Sequence, residues 1–227
     1  MQHIANIALY SCITNSYEAP KTLEHVEGID CFLFTDQPHA KIPAPWHPLT
    51  ASSVFADPRR NARFHKICAP LLFTPYDITI WIDGSVVLLA PPSVFLGALG
   101  DADVLTFTHP DRDCVYAEAA ECTRLNLDYP STMLSHINRL HAQGFPEHGG
   151  LAETKVVACR NTLRTQSFLQ AWFTLLSMGS LRDQLSFPEA VQQTGVKVSY
   201  MPAISRGNPW FRAVKHVRTQ YTESYAP

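Results

Sequence analysis

The chain has 227 residues, of which 46% are hydrophobic and 17% charged, with a formal net charge of -2. This length predicts one large domain, and the near-neutral balance argues against binding nucleic acid or a membrane surface through bulk charge. The start, MQHIANIALYSC, lacks the basic region of a signal peptide, and no run approaches the roughly 20 apolar residues of a membrane span.

Six cysteines are scattered along the chain without a C-x-x-C pair. Together with the missing signal, this predicts reduced thiols in a cytoplasmic protein. Cys114 and Cys122 could bind zinc with nearby histidines, although buried free thiols are the commoner outcome.

Three apolar, β-branched segments in the first half of the chain predict buried strands. They are IANIALYSCI (residues 4–13), IDCFLFTD (29–36) and YDITIWID (76–83). The segment YEAPKTLEHVEG after the first of them reads as a loop or short helix. QPHAKIPAPWHPL is a proline-broken connection that leads into another short extended piece.

A helix is predicted over DPRRNARFHKICAPLLF (57–73), because Asp57 is a suitable N-cap and Pro58 suits the first helical position. Arg59, Arg63 and Lys66 recur on one face of it. The opposite face is apolar and carries Ala62, Ile67 and Leu71. The basic face could compensate phosphate charge, or it could simply be solvated.

The second half alternates predicted helices with strands. The helices are PPSVFLGAL (91–99), DRDCVYAEAAECTRLN (111–126), PSTMLSHINRLHAQ (130–143), TLRTQSFLQAWFTLLSMGS (162–180) and RDQLSFPEAVQQTG (182–195). The strands are DADVLTFTH (101–109), ETKVVACR (153–160) and VKVSYMPA (196–203), and an irregular, aromatic and basic tail follows. This alternation predicts an α/β fold with a mostly parallel central sheet flanked by helices.

Asp36 and Asp83 each close a predicted strand, and ligands of open α/β sheets sit at the carboxyl ends of the strands. After Asp83, Gly84 permits a sharp turn and Ser85 adds an oxygen. This combination suits a hard divalent cation, which could in turn hold a diphosphate. The alternative is an Asx-turn that caps the strand end.

Three further groups of residues carry candidate chemistry. In RDQLSF, Asp183 and Gln184 could receive sugar hydroxyls, or Asp183 could cap a helix. In GFPEHGGLAETK, Gly149 and Gly150 permit close backbone approach to a ligand, and Glu153 could contact a sugar or act as a base. The third group follows a strand end and consists of His109, Arg112, Tyr116 and Glu118.

Four segments together resemble a glycosyltransferase-like domain family associated with plant mucilage, which was long catalogued as a domain of unknown function. They are RNARFHKICAPLLFTPYDITIWIDGSV, THPDRDCVYAEAAEC, GFPEHGGLAETKVVACR and RDQLSF. The resemblance runs from about Tyr10 to about His216. It implies a GT-A-like fold in residues 1–227, with a nucleotide-binding half (1–110), a sugar and acceptor half (111–205) and a C-terminal tail (206–227).

The resemblance implies a role for each candidate residue. Asp83, Gly84 and Ser85 take the place of a D-x-D motif, with Asp83, Ser85 and His216 as ligands of Mn²⁺ or Mg²⁺. The donor nucleotide would contact Tyr10, Asp36, Arg59, Arg63, Lys66, Gly150, Leu151 and Arg182. Catalytic candidates are Asp183, Gln184, Glu153 and Glu118, and the acceptor would lie against His109, Arg112 and Tyr116.

The resulting expectation is a metal-dependent transfer of sugar from a nucleoside-diphosphate sugar, most simply a UDP-sugar. Its acceptor would be a glycan, a lipid-linked glycan, a protein or a modified base of nucleic acid. Two alternatives stay open at this point. The first is a nucleotide-sugar or glycan-binding module without catalysis, which Ser85 in place of a second carboxylate would fit. The second is a hydrolase that uses Asp83 and Glu153.

Overall fold

The computed structural model describes residues 5–37, 41–204 and 208–214. Its strands are β1 (Ile7–Ile13), β2 (Asp30–Thr35), β3 (His47–Thr50), β4 (Ile78–Ile82), β5 (Val86–Leu88), β6 (Val104–Thr108), β7 (Ala152–Arg160), β8 (Val198–Met201) and β9 (Phe211–Ala213). Its helices are α1 (Pro58–Cys68), α2 (Ser93–Leu99), α3 (Val115–Arg124), α4 (Pro130–Ala142), α5 (Leu163–Met178) and α6 (Asp183–Thr194), with a 3₁₀ turn at Ala69–Leu71 after α1.

Seven strands form the central sheet in the order β3-β2-β1-β4-β7-β6-β8. All neighbouring pairs are parallel except the two that involve β7, which is antiparallel to β4 and to β6. The mostly parallel α/β sheet is therefore confirmed. Strand β7 is antiparallel because α3 and α4 lead the chain away from the end of β6 and back to that same end, where β7 begins. There the His109 amide donates to the Leu151 carbonyl at 2.8 Å.

The two faces of the sheet bury separate apolar layers. Strand alternation sends Tyr10 and Trp81 to one face, where they pack with α1, α5 and α6. Leu9 and Ile80 point to the other face, which α2 covers. A third, smaller apolar cluster joins α3 and α4 to the start of α6.

Helix α1 begins as predicted, since the Asp57 side chain accepts a hydrogen bond from the Arg59 amide at 2.8 Å and Pro58 occupies the first helical position. The predicted division into a basic and an apolar face is wrong in one respect. Lys66 is buried next to Ile67, with only 2% of its surface exposed. The helix therefore carries a cation into the interior, and that cation needs partners there.

The tail is not wholly irregular, contrary to the prediction. Residues 211–213 form β9, which pairs antiparallel with β5 directly after the Asp83 turn. The amide of Val214 then donates to the carbonyl of Ser85 at 2.8 Å. Strand β9 can add to β5 because the short β5 lies outside the main sheet and leaves its backbone groups unpaired.

All six cysteines are free thiols, as predicted, and five of them are buried. Burial raises the pKa of Cys31 and Cys68 to about 12 and that of Cys122 to about 11, so these thiols stay protonated at neutral pH. In the described ranges, no helix combines the length and the apolarity that crossing a bilayer requires.

Candidate functional site

One edge of the sheet collects the candidate residues. It is formed by the carboxyl ends of the parallel strands together with the start of the reversed β7. Asp83 follows β4, His109 follows β6, and Glu153 and Thr154 lie in the first residues of β7. Reversing one strand thus brings its first residues to the edge where ligands of open α/β sheets bind.

Asp83 meets other side chains rather than the amides of its own turn. Its Oδ1 accepts a hydrogen bond from the Trp81 indole at 2.7 Å and lies 3.5 Å from the Lys66 ammonium. The Asp83 side chain keeps 22% of its surface exposed. The Asx-turn alternative is therefore wrong, and Asp83 Oδ2 has no hydrogen-bond partner among the described residues.

A side chain at Gly84 would crowd the last residue of β1. A Cβ atom on Gly84 would lie 3.1 Å from Ile13 Cγ1 and 3.6 Å from the carboxylate of Glu18. A larger residue would require the Ile13 side chain to shift by a few tenths of an ångström, whereas the distance to Glu18, in the loop after β1, is an ordinary contact. The predicted turn is confirmed, and its neighbour is a loop that the sequence did not indicate.

Lys66 lies between two carboxylates. Its Nζ is 2.6 Å from Asp183 Oδ2 and 3.5 Å from Asp83 Oδ1, and it donates to the Thr154 hydroxyl at 3.1 Å. The rings of Trp81 and Trp172 flank it, with centroids at 5.6 and 6.0 Å. A buried ammonium so enclosed is held by charge, hydrogen bonds and cation–π contacts together.

Asp183 is the most strongly held carboxylate of the site. Burial by itself would raise its pKa. The charges of Arg63 and Lys66, with hydrogen bonds from Lys66 and Thr154, outweigh burial and hold the pKa of Asp183 far below its usual range. A carboxylate with so low a pKa is a poor proton acceptor. The predicted role of Asp183 as a base therefore does not fit its surroundings.

Arg63 uses only part of its guanidinium in this network. Its Nε lies 3.1 Å from Asp183 Oδ1, and 21% of the side chain remains exposed. Burial opposes its charge, but Asp183 and Asp83 outweigh that effect and raise the pKa of Arg63. The terminal nitrogens of Arg63 form no hydrogen bond with any described residue, so they are available to an anion in the crevice.

The cation that the family implies can be tested against these donors. Within residues 5–37, 41–204 and 208–214, no three histidine, cysteine or acidic side chains meet as a metal cage. Asp83 Oδ2 is one open carboxylate oxygen at the exposed edge. Mg²⁺ is commonly held by one or two carboxylates together with substrate phosphates and waters. The donors present fit a cation held jointly with a diphosphate.

The other predicted metal ligands are placed less directly. Ser85 follows the turn and is 4% exposed, with its carbonyl engaged by Val214. His216 lies outside the described residues. Cys114 and Cys122, the candidate zinc ligands, are buried, and Cys122 donates to Glu118 instead.

The predicted acceptor residues form a second cluster at the end of β6. Glu118 Oε2 accepts from Arg112 Nε at 2.6 Å and lies 3.6 Å from His109 Nε2. The other ring nitrogen of His109 accepts from the amides of Asp111 and Arg112, which leaves the proton on Nε2. Burial lowers the pKa of His109 against the opposing charge of Glu118, so the ring is neutral at neutral pH.

Tyr116 lies apart from this cluster, contrary to the prediction. Its hydroxyl donates to the Phe145 carbonyl at 2.8 Å and its ring stacks on His141 at 4.2 Å. Tyr116 lies on the side of α3 that faces α4 and the loop after α4, so its contacts hold that loop in place.

Glu153 projects from the face of β7 opposite Thr154, because successive strand residues alternate between faces. It pairs with Lys155 at 2.9 Å, and its side chain is 12% exposed. Asp83, by contrast, shares the Lys66 face with Thr154. The two carboxylates of the hydrolase alternative therefore project from opposite faces of the sheet.

The return loop before β7 is fixed by its backbone. Gly150 adopts a φ of 91° and donates its amide to the Asp113 carbonyl at 2.9 Å. Leu151 is 4% exposed and packs in the cluster of α3 and α4. Leu151 was predicted to contact the donor, but its side chain packs in the core.

Three residues that were predicted to contact the nucleotide have other partners. Tyr10 is 2% exposed and donates to the Lys66 carbonyl at 2.6 Å, because its place in β1 points it into the core. Asp36 accepts from the Asn15 amide at 2.8 and 3.0 Å and so fixes the start of the loop after β1. Arg59 pairs with its own N-cap, Asp57, at 2.8 Å.

The RDQ segment is brought to the site through Asp183. Gln184 is 7% exposed, and its side-chain oxygen accepts from Arg182 at 2.9 Å. Arg182 and Gln184 therefore hold each other at the start of α6, next to the buried carboxylate.

Sequence reasoning missed three residues of the site. Thr154 joins Lys66 to Asp183, Trp81 orients Asp83, and Glu18 lies beside Gly84. For Trp81 a signal existed, since a residue two positions before Asp83 in a strand shares its face. Thr154 and Glu18 come from distant segments, so no local spacing indicated them.

Comparisons with known proteins agree with the geometry. A family model described as TOD1/MUCI70, glycosyltransferase-like domain, matches residues 46–205. Among solved structures, the WbbM bifunctional glycosyltransferase in its apo form superposes with a TM-score of 0.51 at 10% identity, covering 88% of this chain and 39% of that one. The chain thus spans well under half of that protein, and the likeness shows a shared fold. No curated protein sequence matches the chain.

Proposed function

Because the chain belongs to the TOD1/MUCI70, glycosyltransferase-like domain family, we propose that it is a transferase that takes the sugar from a nucleoside-diphosphate sugar. A UDP-sugar is the proposed donor. The observation that carries the proposal is the network at one edge of the sheet in which Asp183 and Lys66 connect the partly exposed Arg63 to the partly exposed Asp83.

Arg63 and Asp83 suit the departure of a diphosphate. Breaking the bond between sugar and diphosphate places negative charge on the leaving group, and fixed cationic donors lower the barrier most where charge develops. Arg63 is already oriented by Asp183, so its terminal donors need little rearrangement to meet phosphate oxygens.

A divalent cation, Mn²⁺ or Mg²⁺, is part of the proposal. Asp83 Oδ2 would hold it, with Ser85 and His216 as the further proposed ligands. When bound, such a cation supplies positive charge beside the diphosphate.

The acceptor side is proposed to be the cluster of His109, Arg112 and Glu118, with Glu153 beside it. The pKa of Asp183 is held far below its usual range, so Asp183 is a poor proton acceptor, and Glu153 is the better proposed base for the acceptor hydroxyl. Glu153 and Asp83 project from opposite faces, so this role requires the acceptor to bind across the edge of the sheet that both residues share. The proposed acceptor is a glycan, either free or linked to lipid or protein. The proposed location is cytoplasmic, which the free thiols fit.

The test is binding and turnover with a panel of nucleoside-diphosphate sugars. Calorimetry with Mg²⁺ or Mn²⁺ should show binding of at least one donor, and an assay for released nucleoside diphosphate should show turnover with a glycan acceptor. The Asp83→Asn variant should lose turnover while its unfolding temperature stays near that of the wild type. Asp101→Asn, an equal change in charge at the opposite edge of the sheet, is the matched control.

The alternative of a binding module without catalysis keeps one observation in its favour, namely Ser85 in place of a second carboxylate. Donor binding without release, across all acceptors and both cations, would establish that alternative. Retention of full metal-dependent turnover by Asp83→Asn would overturn the assignment of the site.

A further inference from the structure

We propose that Lys66 does not bind the donor but is a positioning residue, which neutralises Asp183 from inside and thereby leaves Arg63 to meet the diphosphate. The inference rests on the proposed function. The sequence predicts one basic face on α1, but the two cations differ: Lys66 is internal and Arg63 is external.

The first argument is that the ammonium of Lys66 has no donor to spare. An ammonium has three N–H donors, and Lys66 directs them at Asp183, Thr154 and Asp83. Its side chain is 1% exposed. Reaching a diphosphate would require it to leave a contact of 2.6 Å and a hydrogen bond that are both buried.

The second argument is charge balance. Two cations, Arg63 and Lys66, face two carboxylates, Asp83 and Asp183. Lys66 makes the closer contact with Asp183, at 2.6 Å against 3.1 Å for Arg63. Without Lys66, the buried Asp183 would have Arg63 as its only cationic partner and would draw its guanidinium inwards.

The third argument is exposure. The side chain of Arg63 is 21% exposed against 1% for Lys66, and only Arg63 retains donors without a described partner. The same helix therefore supplies one cation that a ligand can reach and one that it cannot. Lys66 acts on the donor mainly through Asp183, its closer partner, which in turn orients Arg63.

A double-mutant cycle separates this role from direct binding. The variants are Lys66→Met, Asp183→Asn and the double variant, and the probes are UDP with Mg²⁺ and, separately, uridine, which lacks phosphates. Binding is measured by calorimetry below the unfolding temperature of each variant. Arg164→Met, at the opposite edge where Arg164 pairs with Asp103, controls for the loss of one positive charge.

We expect Lys66→Met to weaken UDP binding at least tenfold in the wild-type background, with uridine binding unchanged. In the Asp183→Asn background the same substitution should change UDP binding less than threefold, because the carboxylate that Lys66 serves is already neutral. If Lys66→Met alone does not fold, Asp183→Asn is compared with the double variant, and a tenfold or greater loss of UDP affinity between those two would show direct contact and overturn the inference.

Equal losses of UDP affinity in both backgrounds would show direct contact and overturn the inference. A lowered unfolding temperature with unchanged UDP affinity would also overturn it, since Lys66 would then be structural only. Failure of the wild type to bind any nucleoside diphosphate is a different result, which refutes the proposed function itself.

Discussion

Asp83 shows how a charged residue can end a buried strand. Its cost of burial is offset by the indole N–H of Trp81 and by the ammonium of Lys66, while one oxygen stays at the surface. The position of Asp83 could be predicted, because a carboxylate directly after an apolar strand is conspicuous. Its partners could not, because helical spacing places Lys66 on a face of α1 without saying what that face meets.

Arg63 is expected to govern affinity for the phosphates of the donor. Arg63→Met should weaken UDP binding about 30-fold, which corresponds to about 2 kcal/mol for hydrogen bonds to charged groups. Uridine should bind as it does to the wild type. Calorimetry with both ligands makes the comparison, and an equal loss for UDP and uridine would mean that the substitution disturbs the whole crevice.

Glu153 is expected to act on the acceptor and not on the donor. Glu153→Gln should lower kcat about a hundredfold, as loss of a general base does, and should leave UDP affinity unchanged. Glu147→Gln, in the exposed loop before β7, is the control. If Glu153→Gln had a normal kcat and Glu118→Gln had the lowered kcat instead, the general base would be assigned to Glu118, which pairs with Arg112.

At the scale of elements, helix α4 docks through a buried histidine. His136 is 2% exposed and packs against Gly179, where an added Cβ would lie 2.5 Å from His136 Nδ1. Local sequence signals predicted the helices themselves. The reversal of β7 was not predicted, because strand direction depends on where α3 and α4 return the chain.

His136 predicts how stability depends on pH. Burial and the charge of Arg139 lower its pKa to about 4, so folding favours the neutral ring. Its contribution is complete above the unfolded value of about 6.5 and is lost as the pH falls towards 4, by about 2 kcal/mol between pH 7 and pH 5. Denaturant unfolding at pH 7 and pH 5 measures it. In His136→Asn the free energy of unfolding should fall less between pH 7 and pH 5 than in the wild type. An equal fall in both proteins would show that His136 is not the group responsible.

At the scale of the whole molecule, the binding edge is assembled from segments far apart in the sequence. The fold class and most elements followed from periodicity and helix-start signals. The tail strand β9 did not, because three residues that add to a three-residue partner carry no periodicity of their own. Thr154 and Glu18 were not predicted as site residues for a related reason, since only the tertiary fold brings them close to Lys66 and Gly84.

Strand β9 predicts a link between stability and binding. Phe211 is 6% exposed and packs edge-on against Phe107 at 5.1 Å. Phe211→Ala should cost about 3 kcal/mol of stability and also weaken UDP binding, since β9 supports the turn after Asp83. Phe95→Ala, in the same apolar layer but on α2, should cost as much without changing UDP affinity. Equal UDP affinities in the two variants would show that β9 does not support the site.

The pairing of β5 with β9 also orders events during synthesis. A ribosome releases the main-sheet strands before it releases Phe211–Ala213, so a nascent chain can form its core while the Asp83 turn still lacks its last backbone partner. Competence to hold a donor would then arrive late in translation, after the scaffold that carries it.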